Sequence, residues 1–491
     1  MRKVLAGIET EYGLLVEGRG AEHQVDDAMA LVRAYPGECL PIWDYRYESP
    51  RTDLRGFRLD RLAFDPEDAK FDAGKTYVEA HEIRSDRILP NGARFYNDHG
   101  HPEYSTPECL SLQELAKHDC AGQKVVLNAA KAFEEQLGRR VQVYKNNTDY
   151  HGASYGTHEG YLVPREVGFD RLFPDLMPML VVRQILCGSG SLGDIGNRSP
   201  GFRLSQRSDY MVEPANTETL YRRPIFNTRD EPHADPRDWI RLHVICGDAN
   251  LIPNATARKV GLIKLALALC EIGEAPKWEL ADPVKAFQAI SLDSTYQFRV
   301  DLKGRNWTTA YQIFESYFSA AERLLDLDDD LKWVITTSRQ LLSDLQLNFD
   351  QFRFSVDWAA KKSMLISFAE TENPNWSDPQ LRAFDLEYHN VDPEDGLHAA
   401  LEQMGEVEAD PDEADLWACL EGVQEPTRAF ARGLAIKKFK PYIIRAAWRS
   451  MTFRVGEQEI EVDLPPDGSY PSQLAEANDV ETFTNMLRGI R

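Results

Sequence analysis

The sequence predicts an α+β protein with a mostly antiparallel sheet. Three observations carry this. Short segments of period-two alternation crowd the first half, and helix-period patterns dominate from about 254 to 420. Near the end, "WRSMTFRVGEQEIEVDL" has the form of a hairpin turning at Gly456. At 491 residues the chain exceeds one ordinary core, which predicts a large domain over 1–424 and a small one over 425–491.

Taken in order, residues 3–13 alternate as a strand and 22–35 form an amphipathic helix pattern. Residues 49–90 are polar and charged with little periodicity, which predicts a long insertion loop at about 51–88. "ARFYNDHG" returns to strand alternation. "SLQE" has the capping-box form, with Ser111 at the cap and Glu114 three residues on, and opens a helix to about Gly138. "RVQVYKNN" and "SYGTHEGYLV" read as strands, followed by a helix over "FPDLMPMLVVRQILCG". The glycine-rich stretch 187–201 matches no phosphate-binding spacing and reads as a linker. "FRLSQRSDYMV", "PIFNTRDE" and "RLHVICGD" are further strand candidates.

Composition narrows the function. Charged residues are 27% and hydrophobic ones 43%, the profile of a soluble globular chain. A formal net charge of −23 argues against a general nucleic-acid partner, because phosphate backbones need a basic surface. The seven cysteines are scattered with no Cys-x-x-Cys pair, which predicts a reducing compartment and neither a disulfide framework nor a cysteine-rich zinc site. No signal peptide is expected. The most apolar run, "VGLIKLALALC", is short and holds Lys264, so it reads as a buried helix and no membrane partner is expected. The expected location is cytoplasmic.

The chemistry-bearing residues are carboxylates on strands. In "GIETEYG", alternation puts Glu9 and Glu11 on one face, roughly 7 Å apart. At an effective dielectric of 20 they repel by about 2.4 kcal/mol. A solvated edge strand tolerates this, and so does a face where cations sit between the carboxylates. "YNDHGHPEYSTPEC" adds Asp98, Glu103 and Glu108. Arg94, Tyr96 and Asp98 share a face if "ARFYNDH" is a strand, and His158 and His243 lie mid-strand elsewhere. Carboxylate oxygens with an occasional imidazole suit Mg²⁺ or Mn²⁺ better than Zn²⁺. Arg203, Arg207, Arg222, Arg223, Arg229 and Arg241 crowd the middle of the chain, and arginine forks suit phosphate, although several serve equally as surface charge. Glu108, just ahead of a helix start, reads as a dipole-favouring residue. An acidic metal site suited to ATP chemistry is as far as the residues themselves lead.

Beyond them, "GIETEYG", "NGARFYNDHGHPEYSTPEC", "YKNNTDYHGASYGTHEGYL", "SQRSDY" and "NTRDEPHAD…RLHVICGDAN" closely resemble one family. It contains the ligase of prokaryotic ubiquitin-like protein (Pup) and the deamidase and depupylase of Pup. The match runs in order to "TRAFARG" and Trp448. The resemblance implies a glutamine-synthetase-like fold: a curved antiparallel sheet packed by helices, with a small C-terminal domain. It implies ATP (or ADP plus phosphate) and Mg²⁺ as cofactors, Pup or a Pup-like tag and tagged proteins as partners, and a link to a proteasomal ATPase. Position by position, it makes Asp98 the catalytic aspartate. Glu9, Glu11, Tyr96, Glu103, His158 and His243 become metal-site residues, and Arg94, Thr106, Arg207, Arg229 and Trp448 contact the nucleotide. "WDYRYESPRTDLRGF", the loop ahead of "NGAR" and "NPNWSDPQLRAFDLEYHNV" resemble the depupylase branch. That branch cleaves the Pup–lysine isopeptide and deamidates a C-terminal Gln of Pup. A Pup ligase, a non-hydrolytic Pup-binding relative and a small-molecule amide ligase remain alternatives. One departure is Gly160, in "HEGY", where the family usually reads His-Glu-Asn-Tyr.

Overall fold

A computed structural model describes residues 3–48, 50–61, 80–148, 154–193, 201–371, 374–423 and 425–490. Residues 62–79 of the expected 51–88 insertion lie outside the described residues, as do 194–200 of the glycine-rich stretch.

Six strands form the main sheet: β1 (Ala6–Glu11), β2 (Arg87–Ile88), β3 (Arg94–Asp98), β4 (His101–Ser105), β5 (Thr157–Pro164) and β6 (Trp239–Val244). Their order is β6-β5-β1-β4-β3-β2, and every neighbouring pair is antiparallel. The fold is therefore α+β on an antiparallel sheet packed by many helices, as expected. Residues directly paired across antiparallel strands share a face, so register sorts the side chains. Ala6, Ile8, Phe95, Tyr104, Tyr161, Leu242 and Val244 turn one way and are buried. They pack with residues of helices α1 (Gln24–Ala34), α2 (Leu112–Leu137), α3 (Phe169–Val182) and α4 (Pro253–Glu271). Burying each such aliphatic or aromatic side chain stabilises by about 1.5–3 kcal/mol. The opposite face carries the polar set.

Several elements match their sequence signals. Ser111 caps α2, accepting from the Glu114 N–H at 3.4 Å, and Gly138 ends it in the left-handed region. The reciprocal arm of the expected capping box is missing, because the Ser111 N–H donates to Glu425 at 2.8 Å instead. Helix α4 is buried nearly all round, and Lys264 donates its ammonium to the Leu110 carbonyl at 2.5 Å. Among the described residues no helix is long and apolar enough to cross a membrane.

Others differ. Residues 3–13 do not continue as one strand: after Glu11 the chain leaves the sheet, and Gly13–Val16 pairs with Val141–Tyr144. The glycine-rich stretch is more than a linker, since Ser191–Gly193 pairs with Gly201–Arg203. "FRLSQRSDYMV" stops being a strand after Arg203. The N–H groups of Gln206 and Arg207 turn to the Asp248 carboxylate, which also takes the Ser189 N–H. The helical region holds a small antiparallel pair, Arg299–Asp301 with Trp307–Thr309. Near the C-terminus, helix α5 (Glu413–Glu421) precedes α6 (Arg428–Phe439). Beyond α6 comes a three-stranded sheet with its hairpin turning at Gly456, φ 59°. The hydrophobic cluster of that sheet also takes in Leu40, Trp43 and Ile88.

Candidate functional site

The polar face of the sheet gathers most of the expected site residues. Glu9 pairs with His158 on one side and Ser105 on the other, and Glu11 faces Glu103. Tyr96 also faces Glu103, and Asp98 faces His101 at the end of the β3–β4 hairpin. Two residues, His99 (φ 47°) and Gly100 (φ 91°), make that turn. Positive φ at both matches the right-handed strand twist, and it fixes Asp98 as the last strand position before the turn.

Two donor clusters result. Glu9, His158 and His243 place one donor atom each within 4.8 Å of one another, as do Glu11, Asp98 and Glu103. The imidazoles of His158 and His243 meet edge-on at 4.9 Å between centroids. His158 can sit there because residue 156 is glycine: a Cβ on Gly156 would lie 2.1 Å from His158 Nε2.

The charges around these groups are unevenly balanced. Burial alone would raise the Glu9 carboxyl, but Arg241, which ion-pairs with it, and the two imidazoles hold it well below the usual carboxylate range. Burial likewise opposes ionisation of Asp98, and Arg84, His99 and His158 outweigh it, Arg84 through a direct ion pair. Glu103 is the opposite case. Burial, then Asp98, Glu11 and Glu9, push it well above the carboxylate range, against a hydrogen bond donated by Tyr96. Burial, Arg241 and His158 push His243 well down, which leaves a neutral imidazole, the ligating form. Neither of its ring nitrogens makes a hydrogen bond among the described residues, and neither does Glu103 Oε2. Crowded acids, orphaned acceptors and a neutral imidazole form a donor set that fits divalent cations with oxygen and occasional nitrogen ligands.

A pocket opens beside Glu9, its wall including Gly7, Ser105, Thr106, Gly160, His233, Arg241, Arg428 and Trp448. Thr106 Oγ1 accepts the Ile8 N–H at 3.0 Å. Trp448 stands edge-on to Trp43 at 5.1 Å, and Arg432 lies over its ring. Arg229 borders the carboxylates: burial, partly offset by Glu231, lowers its pKa, and its Nε finds no hydrogen-bond partner among the described residues. Two expected nucleotide contacts are otherwise engaged. Arg94 is sandwiched between Trp43 and Tyr96 at 4.1 and 3.9 Å and bonded to Asp86 at 2.7–2.8 Å. Arg207 is 1% exposed and spends its guanidinium on Ser154, Tyr155 and Ile245. Through Ser154 and Tyr155 it braces the approach to β5, and the Glu11 carboxylate is among the charges acting on it.

Sequence reasoning missed three contributors. Arg84, on the short helix Ala80–Arg84, was hidden in the aperiodic segment. Arg241 stood among six candidate arginines with nothing to single it out. Glu108, read from its position ahead of a helix start, also accepts from Arg428 and Arg432 of α6 at 2.5 Å each.

The family described as Pup-ligase protein matches residues 4–452, and the chain belongs to it. It is 39% identical to the depupylase of Acidothermus cellulolyticus over 92% of this chain and 91% of that protein. It is 37% identical to the Pup deamidase/depupylase of Mycobacterium tuberculosis over 93% and 92%. Against the Pup–protein ligase of Corynebacterium urealyticum, identity is 34% over 83% and 84%. Among solved structures, the Pup ligase PafA in complex with Pup matches with a TM-score of 0.78 at 28% identity, covering 99% of this chain and 92% of that one. PafA in complex with ADP matches with a TM-score of 0.73 at 30% identity, covering 88% and 95%.

Proposed function

We propose that this chain is an ATP- and Mg²⁺-dependent amide hydrolase acting on Pup. It converts a C-terminal Gln of Pup to Glu and removes Pup from lysines of tagged proteins. The observation that carries this reading is the convergence of Asp98, Glu11 and Glu103 within 4.8 Å at the end of the sheet, beside Arg229. The hydrolase branch is supported by the depupylase similarity, which has higher identity and longer coverage than the ligase similarity.

In this reading Glu9, His158 and His243 hold one cation, and Glu11, Glu103 and Tyr96 border a second. Thr106 and Trp448 line the nucleotide pocket, and Arg229 offers its fork to phosphate. Bound magnesium–nucleotide supplies positive charge that polarises the amide carbonyl. Asp98 is kept ionised, which makes it a weak base but a standing anion, so we assign it as nucleophile. One of its oxygens, released from Arg84, attacks the side-chain amide carbon. The C–N bond breaks, and the leaving amine takes a proton from water. Water then hydrolyses the resulting anhydride, which frees the Pup carboxylate and restores Asp98.

The test is to incubate the protein with Gln-ended Pup, ATP and Mg²⁺ and to weigh the Pup. Amide-to-acid conversion is expected, with Asp98→Asn slower by about a thousandfold or more. Conjugate formation on an added lysine protein with stoichiometric ADP, and no conversion of Gln, would overturn the hydrolase reading in favour of a ligase.

A further inference from the structure

Away from the sheet, α2 and α5 bring Glu114, His118 and Cys419 together. One carboxylate oxygen, one ring nitrogen and the sulfur lie within 4.8 Å of one another. Glu114 and His118 are four residues apart and so share a face of α2. Cys419 meets them from α5, within the hydrophobic cluster that also holds Leu416 and Leu420. His118 is only 1% exposed, and its Nδ1 finds no hydrogen-bond partner among the described residues. A buried polar atom left unsatisfied is destabilising, and a ligand held through that nitrogen would remove the penalty.

We propose that Glu114, His118 and Cys419 form a zinc site, separate from the acidic sheet face. Thiolate, imidazole and carboxylate together are zinc donors, at about 2.3, 2.0–2.1 and 2.0–2.2 Å from the metal. A tetrahedron of those lengths sets its donors roughly 3.3–3.8 Å apart, so donors that lie within 4.8 Å of one another need to close by at most about 1.5 Å. Water takes the fourth position from the side of Glu114, which is 30% exposed and meets Lys117 at 3.0 Å. On binding, the Cys419 thiol loses its proton to solvent, and Lys117 yields its hold on Glu114. Among the three donor clusters only this one offers a thiolate, the soft donor that favours zinc over magnesium. The bound zinc ties α5, and through it the chain leading into α6, onto α2.

The test uses the metal-stripped full chain, titrated with Co²⁺ and followed in the near-ultraviolet. A thiolate-to-cobalt charge-transfer band is expected, bleached by Zn²⁺ and lost in Cys419→Ser although the other cysteines remain. Carboxylates and imidazoles of the sheet site give no such band, so a failure here leaves the proposed hydrolase function untouched. Because Cys419 is buried, Glu114→Gln serves as the second variant, and zinc should bind it at least about tenfold more weakly. No band in the unsubstituted protein, an unchanged band in Cys419→Ser, or an unchanged zinc midpoint in Glu114→Gln would each overturn the proposal.

Discussion

At the scale of single residues, two glycines shape the polar face. Gly156 leaves the space that the His158 ring occupies. Alanine there would press on Nε2 and turn the imidazole away from Glu9. We expect Gly156→Ala to fold normally and to bind Mn²⁺ about tenfold more weakly. An unchanged midpoint in a Mn²⁺ titration would show that His158 is not a ligand. At Gly160, the departure from the family's usual asparagine, the neighbouring space is taken by Arg241. A Cβ on Gly160 would lie 3.0 Å from Arg241 Nε, and the guanidinium crossing that space pairs with Glu9.

At the scale of elements, Glu108 joins α6 to the sheet. Burial opposes its charge, but Arg432 and Arg428 overcome that and hold its carboxyl below the usual range. Arg432 is fully buried and Arg428 nearly so. Glu108→Gln would leave their charges uncompensated, and we expect a loss of about 3 kcal/mol in urea denaturation. A midpoint within error of the parent would mean that the ion pairs are mutually replaceable. Glu108 also marks the limit of reading the chain. Its neighbours in sequence say helix start, while its partners lie 320 and 324 residues away. Alternation made Glu9 with Glu11, and Arg94 with Tyr96 and Asp98, legible as shared faces, because period two is local. Register was not legible. That Glu9 meets His158, and Glu11 meets Glu103, depends on pairings between distant strands. The end of "GIETEYG" as a strand was hidden too, since Tyr12 donates its N–H to Pro102 and Glu11 donates its own to Gly156.

At the scale of the whole molecule, stability should depend on pH through Asp410. Burial, then the nearby Glu402 carboxylate, push its carboxyl up to about 6. Between the unfolded value of about 3.9 and that folded value, the native state binds more protons than the unfolded one. This contribution is therefore fully present at low pH, falls as pH rises through that window, and stays lost above it. Asp410→Asn should gain roughly 1–2 kcal/mol over the parent at pH 7.5 and little at pH 4. Equal gains at both values would assign the effect to packing.

The sheet order has a last consequence. Strand β1, which precedes the other five strands of the sheet in the chain, sits inside it, and its flanks are filled by residues near 103 and 158, with position 243 arriving from the next strand out. Trp448 is the last residue in chain order to join the pocket wall. The acidic residues of the sheet face thus lie far ahead, in chain order, of the last residue of that wall. A chain ending shortly before residue 448 keeps every acidic residue of the sheet face and lacks that part of the pocket wall.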